Sequence, residues 1–212
     1  MKNGEKKTES KKGLLIVLCG PSGAGKGTVH RRVLELDSNI KPSVSVTTRP
    51  KRAGEKDGEH YYFKSPEEYK RMLADDAFLE SAVVYKNYYG TPKAPVLKTL
   101  EAGKDVMLEI DINGAMQIKS RHPESVLIFL TPPSLERLKN QLINRGTETE
   151  TSLMLRLGSA KSELGQYGQF DYVVFNDTVI QAAQDILGII AAEKCRVKFK
   201  EAKIKEILKT EI

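Results

Sequence analysis

The chain has 212 residues, 40% hydrophobic and 29% charged, with a formal net charge of +6, which suits one domain with a sizeable core. It has no apolar run of 18 residues and no signal-peptide pattern after Met1, which predicts a cytoplasmic protein without membrane association. Its two cysteines, Cys19 and Cys195, lack metal-ligand spacing and read as free thiols in a reduced protein. The positive charge argues against a nucleic-acid partner because of where it lies. Residues 1–12 hold five Lys against two Glu, and residues 193–212 hold seven Lys or Arg against four Glu, so each end carries +3. The intervening 180 residues have 22 basic and 22 acidic groups and are neutral, whereas a nucleic-acid surface would be basic on the folded body.

In chain order, residues 1–12 are polar and lysine-rich and read as a disordered basic tail. Leu14 to Leu18 is a short apolar run of buried-strand type. The stretch Gly20-Pro21-Ser22-Gly23-Ala24-Gly25-Lys26-Gly27-Thr28 follows, and Val29, Val33 and Leu36 then recur at helical spacing. Strand, glycine-rich turn and helix in that order form the context of a phosphate-binding loop. Glycines let successive N–H groups turn inward on an anion, the helix N-terminus adds its positive end, and Lys26 brings a mobile charge to the terminal phosphates. Gly27 stands where a Ser or Thr hydroxyl would approach Mg²⁺, so no side chain is assigned to direct metal ligation.

Ser43 to Thr48 alternates and reads as a second strand, followed by a Pro- and Gly-punctuated loop over 49–59 and a short aromatic strand at His60 to Phe63. Ser65-Pro66-Glu67-Glu68 carries a helix start, with Ser at the N-cap, Pro at N1 and Glu at N3. Phe78 to Tyr85 reads as a strand, and Asn87-Tyr88-Tyr89-Gly90-Thr91 as a turn into another. Residues 45–91 thus read as a small, mostly β insertion. Pro92 to Ala102 reads as a helix closed by Gly103. Val106 to Ile112 reads as a buried strand ending in the carboxylates Glu109 and Asp111, and Val126 to Leu130 as another, before a helix opened by Ser134. A polar stretch over 145–151 leads to a helix carrying Arg156; Tyr172 to Phe175 is the last strand, and a long helical region begins near Thr178. Alternating strands and helices predict a parallel sheet covered on both faces, with ligands beyond its carboxyl ends. Gly20, Arg49, Asp111 and Asn176 all follow strands and can converge there.

Arg49, Arg52, Arg145 and Arg156 are candidate phosphate forks. Glu109 and Asp111, at the end of an apolar strand, need a cation, metal or substrate partner. No serine or cysteine nucleophile is apparent, and His30, His60 and His122 read as ordinary surface residues.

These segments resemble guanylate kinase over nearly all of 13–192. The matching text comprises Gly20 to Lys26, Ser45 to Arg49, Arg52 to Glu55, Asp57 to Tyr61, Asn87 to Thr91, Glu109 to Asp111, Pro132 to Ser134, Arg145 to Glu148 and Val174 to Asp177. The resemblance, of bacterial type, implies an α/β P-loop nucleoside-monophosphate kinase: a parallel-sheet core, a GMP-binding insertion at about 45–91, a helical lid at about 134–163 and a basic helical extension over 193–212. It implies ATP-dependent phosphorylation of GMP and dGMP with Mg²⁺, in purine nucleotide metabolism. Gly20 to Thr28, Arg145 and Asn176 would bind ATP. Ser45, Arg49, Arg52, Tyr61 and Tyr89 would hold the GMP phosphate, while Glu80, Thr91 and Asp111, with Gly90 and Glu109 beside them, would hold the guanosine. Lys26, Arg49, Arg145, Arg156 and Asp111 would carry the transfer. Gln141 departs from the pattern, standing where the family usually has another lid arginine. A homodimer is compatible with the sequence but not required by it. The rival readings are a catalytically weak guanylate-kinase-like protein-binding module and a kinase for another nucleoside monophosphate; the intact loop opposes the first, and Glu80, Thr91 and Asp111 oppose the second.

Overall fold

The computed structural model describes residues 12–84, 86–143 and 150–209. Five parallel strands, β1 (Leu15–Cys19), β2 (Ile40–Pro42), β7 (Asp105–Glu109), β8 (Val126–Thr131) and β9 (Tyr172–Phe175), form one sheet in the order β2-β7-β1-β8-β9. Every residue of β1 is buried, as a central strand covered on both faces requires. Alternation along the strands sorts the core into two layers. Ile16, Leu18, Met107, Ile128 and Leu130 pack against α1 (Lys26–Leu36) and α7 (Val179–Glu193). Leu15, Val17, Cys19, Leu108, Leu127 and Phe129 face α3 (Lys93–Glu101) and α4 (Ile112–Arg121). The Cys19 thiol, buried at the end of β1, is pushed up to about 12 by burial and stays protonated.

A second sheet, order β4-β3-β6-β5, is built from β3 (Val46–Thr47), β4 (Tyr62–Phe63), β5 (Phe78–Val84) and β6 (Asn87–Pro92). It packs on α2 (Pro66–Ala74) through Val46, Tyr69 and Phe78, with Tyr69 stacked between Phe78 and Tyr88. The α2 start is the predicted capping box: Ser65 Oγ accepts from the Glu68 amide at 3.1 Å, and the Glu68 carboxylate accepts from the Ser65 amide at 2.8 Å. A helix this short leans on its cap. Ser65→Ala should cost about 1 kcal/mol and lower Tm by about 2–4 °C in a chain of this size. Calorimetry checks this; an unchanged Tm would mean that the box contributes nothing.

α5 (Leu135–Ile143) and α6 (Glu150–Leu164) pair through Leu138, Leu142 and Ala160, a small core of their own. After a 3₁₀ turn at Tyr167–Gln169 and β9, α7 and α8 (Val197–Ile207) complete the chain.

Several elements differ from the sequence reading. Only Val46–Thr47 of the 43–48 run is strand, because β2 precedes it: three residues ending in proline, tolerated only at the sheet edge it occupies. Residues 87–91 form β6 itself, not a turn. The apolar run 106–112 is broken after Glu109, since Asp111 leaves the strand and caps the unpredicted α4. Of the expected tail, residues 1–11 lie outside the described residues, as do 144–149 of the lid.

Candidate active site

The loop after β1 takes its shape from its glycines. Gly20 has φ +146°, and a Cβ there would lie 2.0 Å from the Leu130 carbonyl oxygen. Gly25, left-handed at φ +83°, is the N-cap of α1, and a Cβ on it would lie 2.6 Å from Asn176 Nδ2. Both positions exclude a side chain, and the turn they shape leads into the α1 N-terminus, whose positive end attracts an anion. The Lys26 ammonium is folded over the loop, donating to the Gly20 carbonyl at 2.6 Å and the Pro21 carbonyl at 3.1 Å. Helices α5 and α6 reach the same loop. Glu163 of α6 accepts the Ser22 amide at 3.0 Å, and Leu138 and Leu142 of α5 close on Gly23. Asn176, 4% exposed, donates to the Ala24 carbonyl at 2.8 Å. It ties the loop to the end of β9.

The second sheet presents a cationic, aromatic cluster. Arg49 follows β3 and donates one N–H from each terminal nitrogen to Glu55, at 2.7 and 3.0 Å, while its guanidinium lies 5.4 Å from the Tyr61 ring and 5.8 Å from the Phe63 ring. Hydrogen bonding to Arg49 pulls the Glu55 carboxyl down to about 2. The Tyr61 and Tyr89 rings meet edge to face at 6.0 Å, and Glu55, with a smaller contribution from Tyr89, raises the Arg49 pKa. Burial raises the Tyr61 hydroxyl above its ordinary range, so it remains a donor.

Between this cluster and α4 lies a buried carboxylate. A bulge in β5 breaks the register so that Phe78 opposes Pro92 and Glu80 opposes Thr91. The extra residue, Leu79, enters the main core, and Glu80 is turned to face Thr91, the re-aiming that bulges accomplish. Thr91 Oγ1 donates to Glu80 Oε1 at 2.6 Å, with the residues 0% and 3% exposed. Burial raises the Glu80 carboxyl to about 7; the Thr91 hydrogen bond opposes this, and the nearby Asp111 charge adds to it. Asp111 Oδ1 accepts the Gly114 amide at 2.8 Å as the cap of α4.

Two of the expected groups come together, Arg49 with Tyr61 and Tyr89, and Glu80 with Thr91 and Asp111; the other expected residues lie as follows. Glu109 lies beside the phosphate loop, where a Cβ on Gly27 would be 3.6 Å from either of its carboxylate oxygens, and its charge also acts on Tyr61. His30, expected at the surface, is 14% exposed behind that loop, 3.9 Å from Glu109, and burial lowers its pKa. Gly90 is buried under Phe78, 2.8 Å from where its Cβ would be, so packing explains it. The Arg52 amide donates to Glu55 at 2.7 Å while the residue is exposed. Ser45 bonds Tyr62 through its carbonyl at 2.9 Å. Arg145 lies outside the described residues; Arg156 falls on α6, outside the described side chains. Gln141 of α5 has its Oε1 buried without a hydrogen-bond partner among the described residues. Sequence reasoning missed Glu55, Glu163 and Gly114. Glu55 sits six residues from Arg49 in a loop, where no periodicity signals a pairing, and Glu163 lies 141 residues from its partner.

A parallel sheet whose central strand opens into a phosphate-binding loop, faced by a small sheet with an arginine-aromatic cluster, defines a P-loop nucleotide kinase fold. The chain belongs to the guanylate kinase family: the family model for guanylate kinase matches residues 12–193. It is 56% identical over 187 residues to a guanylate kinase of Caldanaerobacter subterraneus subsp. tengcongensis, covering 88% of this chain and 91% of the relative. It is 54% identical to one of Clostridium tetani, covering 88% of this chain and 89% of the relative. The crystal structure of guanylate kinase from Anaplasma phagocytophilum superimposes with a TM-score of 0.74 at 33% identity, covering 88% of this chain and 89% of that one.

Proposed function

We propose that this chain transfers the γ-phosphoryl group of ATP to GMP or dGMP, giving ADP and the diphosphate. Family membership supports the reaction, and one observation carries the choice of base. Glu80, buried and held by Thr91 with Asp111 nearby, offers a carboxylate acceptor beside α4. Guanine presents N1–H and an exocyclic NH₂ side by side, and both need acceptors; adenine offers an acceptor at N1. Sites built on such bonds reject the wrong partner by roughly 10⁴-fold.

In this reading a GMP phosphate oxygen attacks the γ-phosphorus in line, the bond to the bridging oxygen breaks, and ADP leaves. No protein nucleophile is needed, only positioning and charge stabilisation. Arg49, aimed by Glu55, holds the acceptor phosphate with Ser45, Arg52, Tyr61 and Tyr89. Lys26 and the lid arginines Arg145 and Arg156 meet the charge on the transferred group. Glu163 and Leu138, by touching the loop, tie lid position to nucleotide binding. Among the described residues no cluster of three or more His, Cys, Asp or Glu could hold a metal. Mg²⁺, the cofactor of this reading, would be brought in with ATP and would neutralise charge on its phosphates. The described residues include no helix long and apolar enough to cross a membrane; we assign the enzyme to the cytoplasm and to purine nucleotide metabolism. We assign it no nucleic-acid partner. The basic ends are then solvated extensions of the kinase, whose GMP part spans about 45–91 and lid about 134–163.

The deciding experiment offers GMP, dGMP, AMP, CMP and UMP in parallel with ATP and Mg²⁺. Turnover confined to the guanine nucleotides supports the reading, turnover of another base overturns the pocket, and tight GMP binding without turnover indicates the binding module. Because Gln141 brings no charge to a lid position, Gln141→Arg should raise kcat several-fold, as an added phosphate-directed cation would. An unchanged or lower kcat refutes that role.

A further inference from the structure

The first turn of α4 lies against the Glu80 carboxylate, and its third residue is glycine. A Cβ on Gly114 would lie 2.7 Å from Glu80 Oε2, 3.2 Å from Glu80 Cδ and 3.3 Å from Ile110 Cδ1. Its amide donates to Asp111 Oδ1 at 2.8 Å. Gly114 is absent from the residues with positive φ, so its backbone accepts any residue, and alanine would favour the helix. The helix has no demand for glycine here; the neighbouring carboxylate has.

We propose that Gly114 is a positioning and specificity residue of the base pocket: its amide fixes Asp111, and its missing side chain leaves Glu80 the space it occupies. The inference rests on the reading that Glu80 and Asp111 accept from guanine.

The contact cannot be relieved by moving the elements apart. Gln117 of α4 clamps the Ser81 backbone on both sides, accepting its amide at 3.1 Å and donating to its carbonyl at 2.8 Å. One turn on, Arg121 donates to the carbonyls of Phe78 at 3.2 Å and Leu79 at 3.0 Å. These bonds fix the spacing of α4 and β5 on both sides of Glu80. Leu79 beside it is 0% exposed and anchored in the core. An added methyl therefore displaces the nearest side chain, the Glu80 carboxylate, and with it the bond from Thr91. The same carboxylate is the proposed guanine acceptor, so the cost falls on recognition.

The test is Gly114→Ala, with kcat/KM measured for GMP and for IMP, which lacks the exocyclic amine, together with KM for ATP and Tm. We expect kcat/KM for GMP to fall about tenfold or more, the effect of losing one well-placed buried hydrogen bond. The fall should lie mainly in KM, KM for ATP should stay within about twofold of wild type on the same scale, and the preference for GMP over IMP should shrink. A merely structural role would move the ATP and GMP constants together and leave the GMP-to-IMP ratio alone; that result, or unchanged GMP constants, overturns the inference. Glu80→Gln in parallel separates the two levels. If it impairs GMP use while Gly114→Ala does not, only this inference fails; if it too is silent, the pocket reading fails. Should Gly114→Ala lower Tm, the double variant with Glu80→Asp, one methylene shorter, should recover Tm through non-additive coupling, and additive effects would overturn the contact.

Discussion

Lys26→Met should lower kcat for GMP phosphorylation by about 10³-fold, with a much smaller effect on KM for ATP. Phosphoryl transfer concentrates negative charge on oxygens that the protein must meet without reorganising, and removing one such donor costs about 10²–10³ in kcat. Lys26 starts α1 and is folded over the loop by bonds to the Gly20 and Pro21 carbonyls at 2.6 and 3.1 Å. The loop amides bind ground-state phosphate as well as transition state, so their survival protects KM, whereas a mobile cation follows the charge that develops. Methionine keeps the length and most of the apolar stem, so the test isolates the charge. Since loop shape rests on Gly20, Gly25 and the Asn176 bond to Ala24, Tm should move by only a few degrees, at about 2–4 °C per kcal/mol. Steady-state kinetics decide it: a drop of less than about tenfold would remove Lys26 from the reacting centre.

Glu80→Gln should lower kcat/KM for GMP by about 10²–10³ while leaving KM for ATP intact, because a buried acceptor becomes in part a donor facing guanine's own donors. The wild-type residue also sets a pH dependence of definite sign. Burial moves its carboxyl from an ordinary 4.5 to about 7, and only the ionised form is a pure acceptor. KM for GMP should therefore fall as pH rises from about 6 to 8 and then level off, following an apparent pKa near 7. Stability runs the other way. Between pH 4.5 and 7 the native state holds a proton that the unfolded chain has released, so this contribution to stability, complete below pH 4.5, is lost as pH rises through 7. In Glu80→Gln both slopes should vanish, measured as KM against pH and ligand-free Tm against pH. A wild-type KM flat across this range would show that Glu80 is not the acceptor.

Features written in a few consecutive residues were legible in the sequence. The β1-loop-α1 unit, the capping box at Ser65 to Glu68 and the buried run of β8 need only local turn chemistry and periodicity, and each formed where expected. β2 was illegible because three residues ending in Pro42 carry no period; the β7 edge selects them. α4 was hidden by a run of apolar residues continuous with β7, though Asp111 three residues before Gly114 was an available cap signal. Resemblance singled out Glu80, but an acidic residue in an alternating strand gives no physical sign that it faces inward; the bulge at Leu79 turns it.

The sequence by itself determined the class of chemistry, because a phosphate loop is encoded by glycines and one lysine within nine consecutive positions from Gly20 to Thr28. It also determined the alternation of strands and helices, since burial on both sheet faces demands continuous apolar runs. Tertiary structure alone decided the burial of Glu80 against α4 and the bracing of the loop. Glu80 meets Gly114 only because Gln117 and Arg121 clamp α4 to β5. Ser22 meets Glu163 across 141 residues, and Ala24 meets Asn176 across 152. Such contacts arise from how packed elements exclude one another's atoms, which no local pattern records.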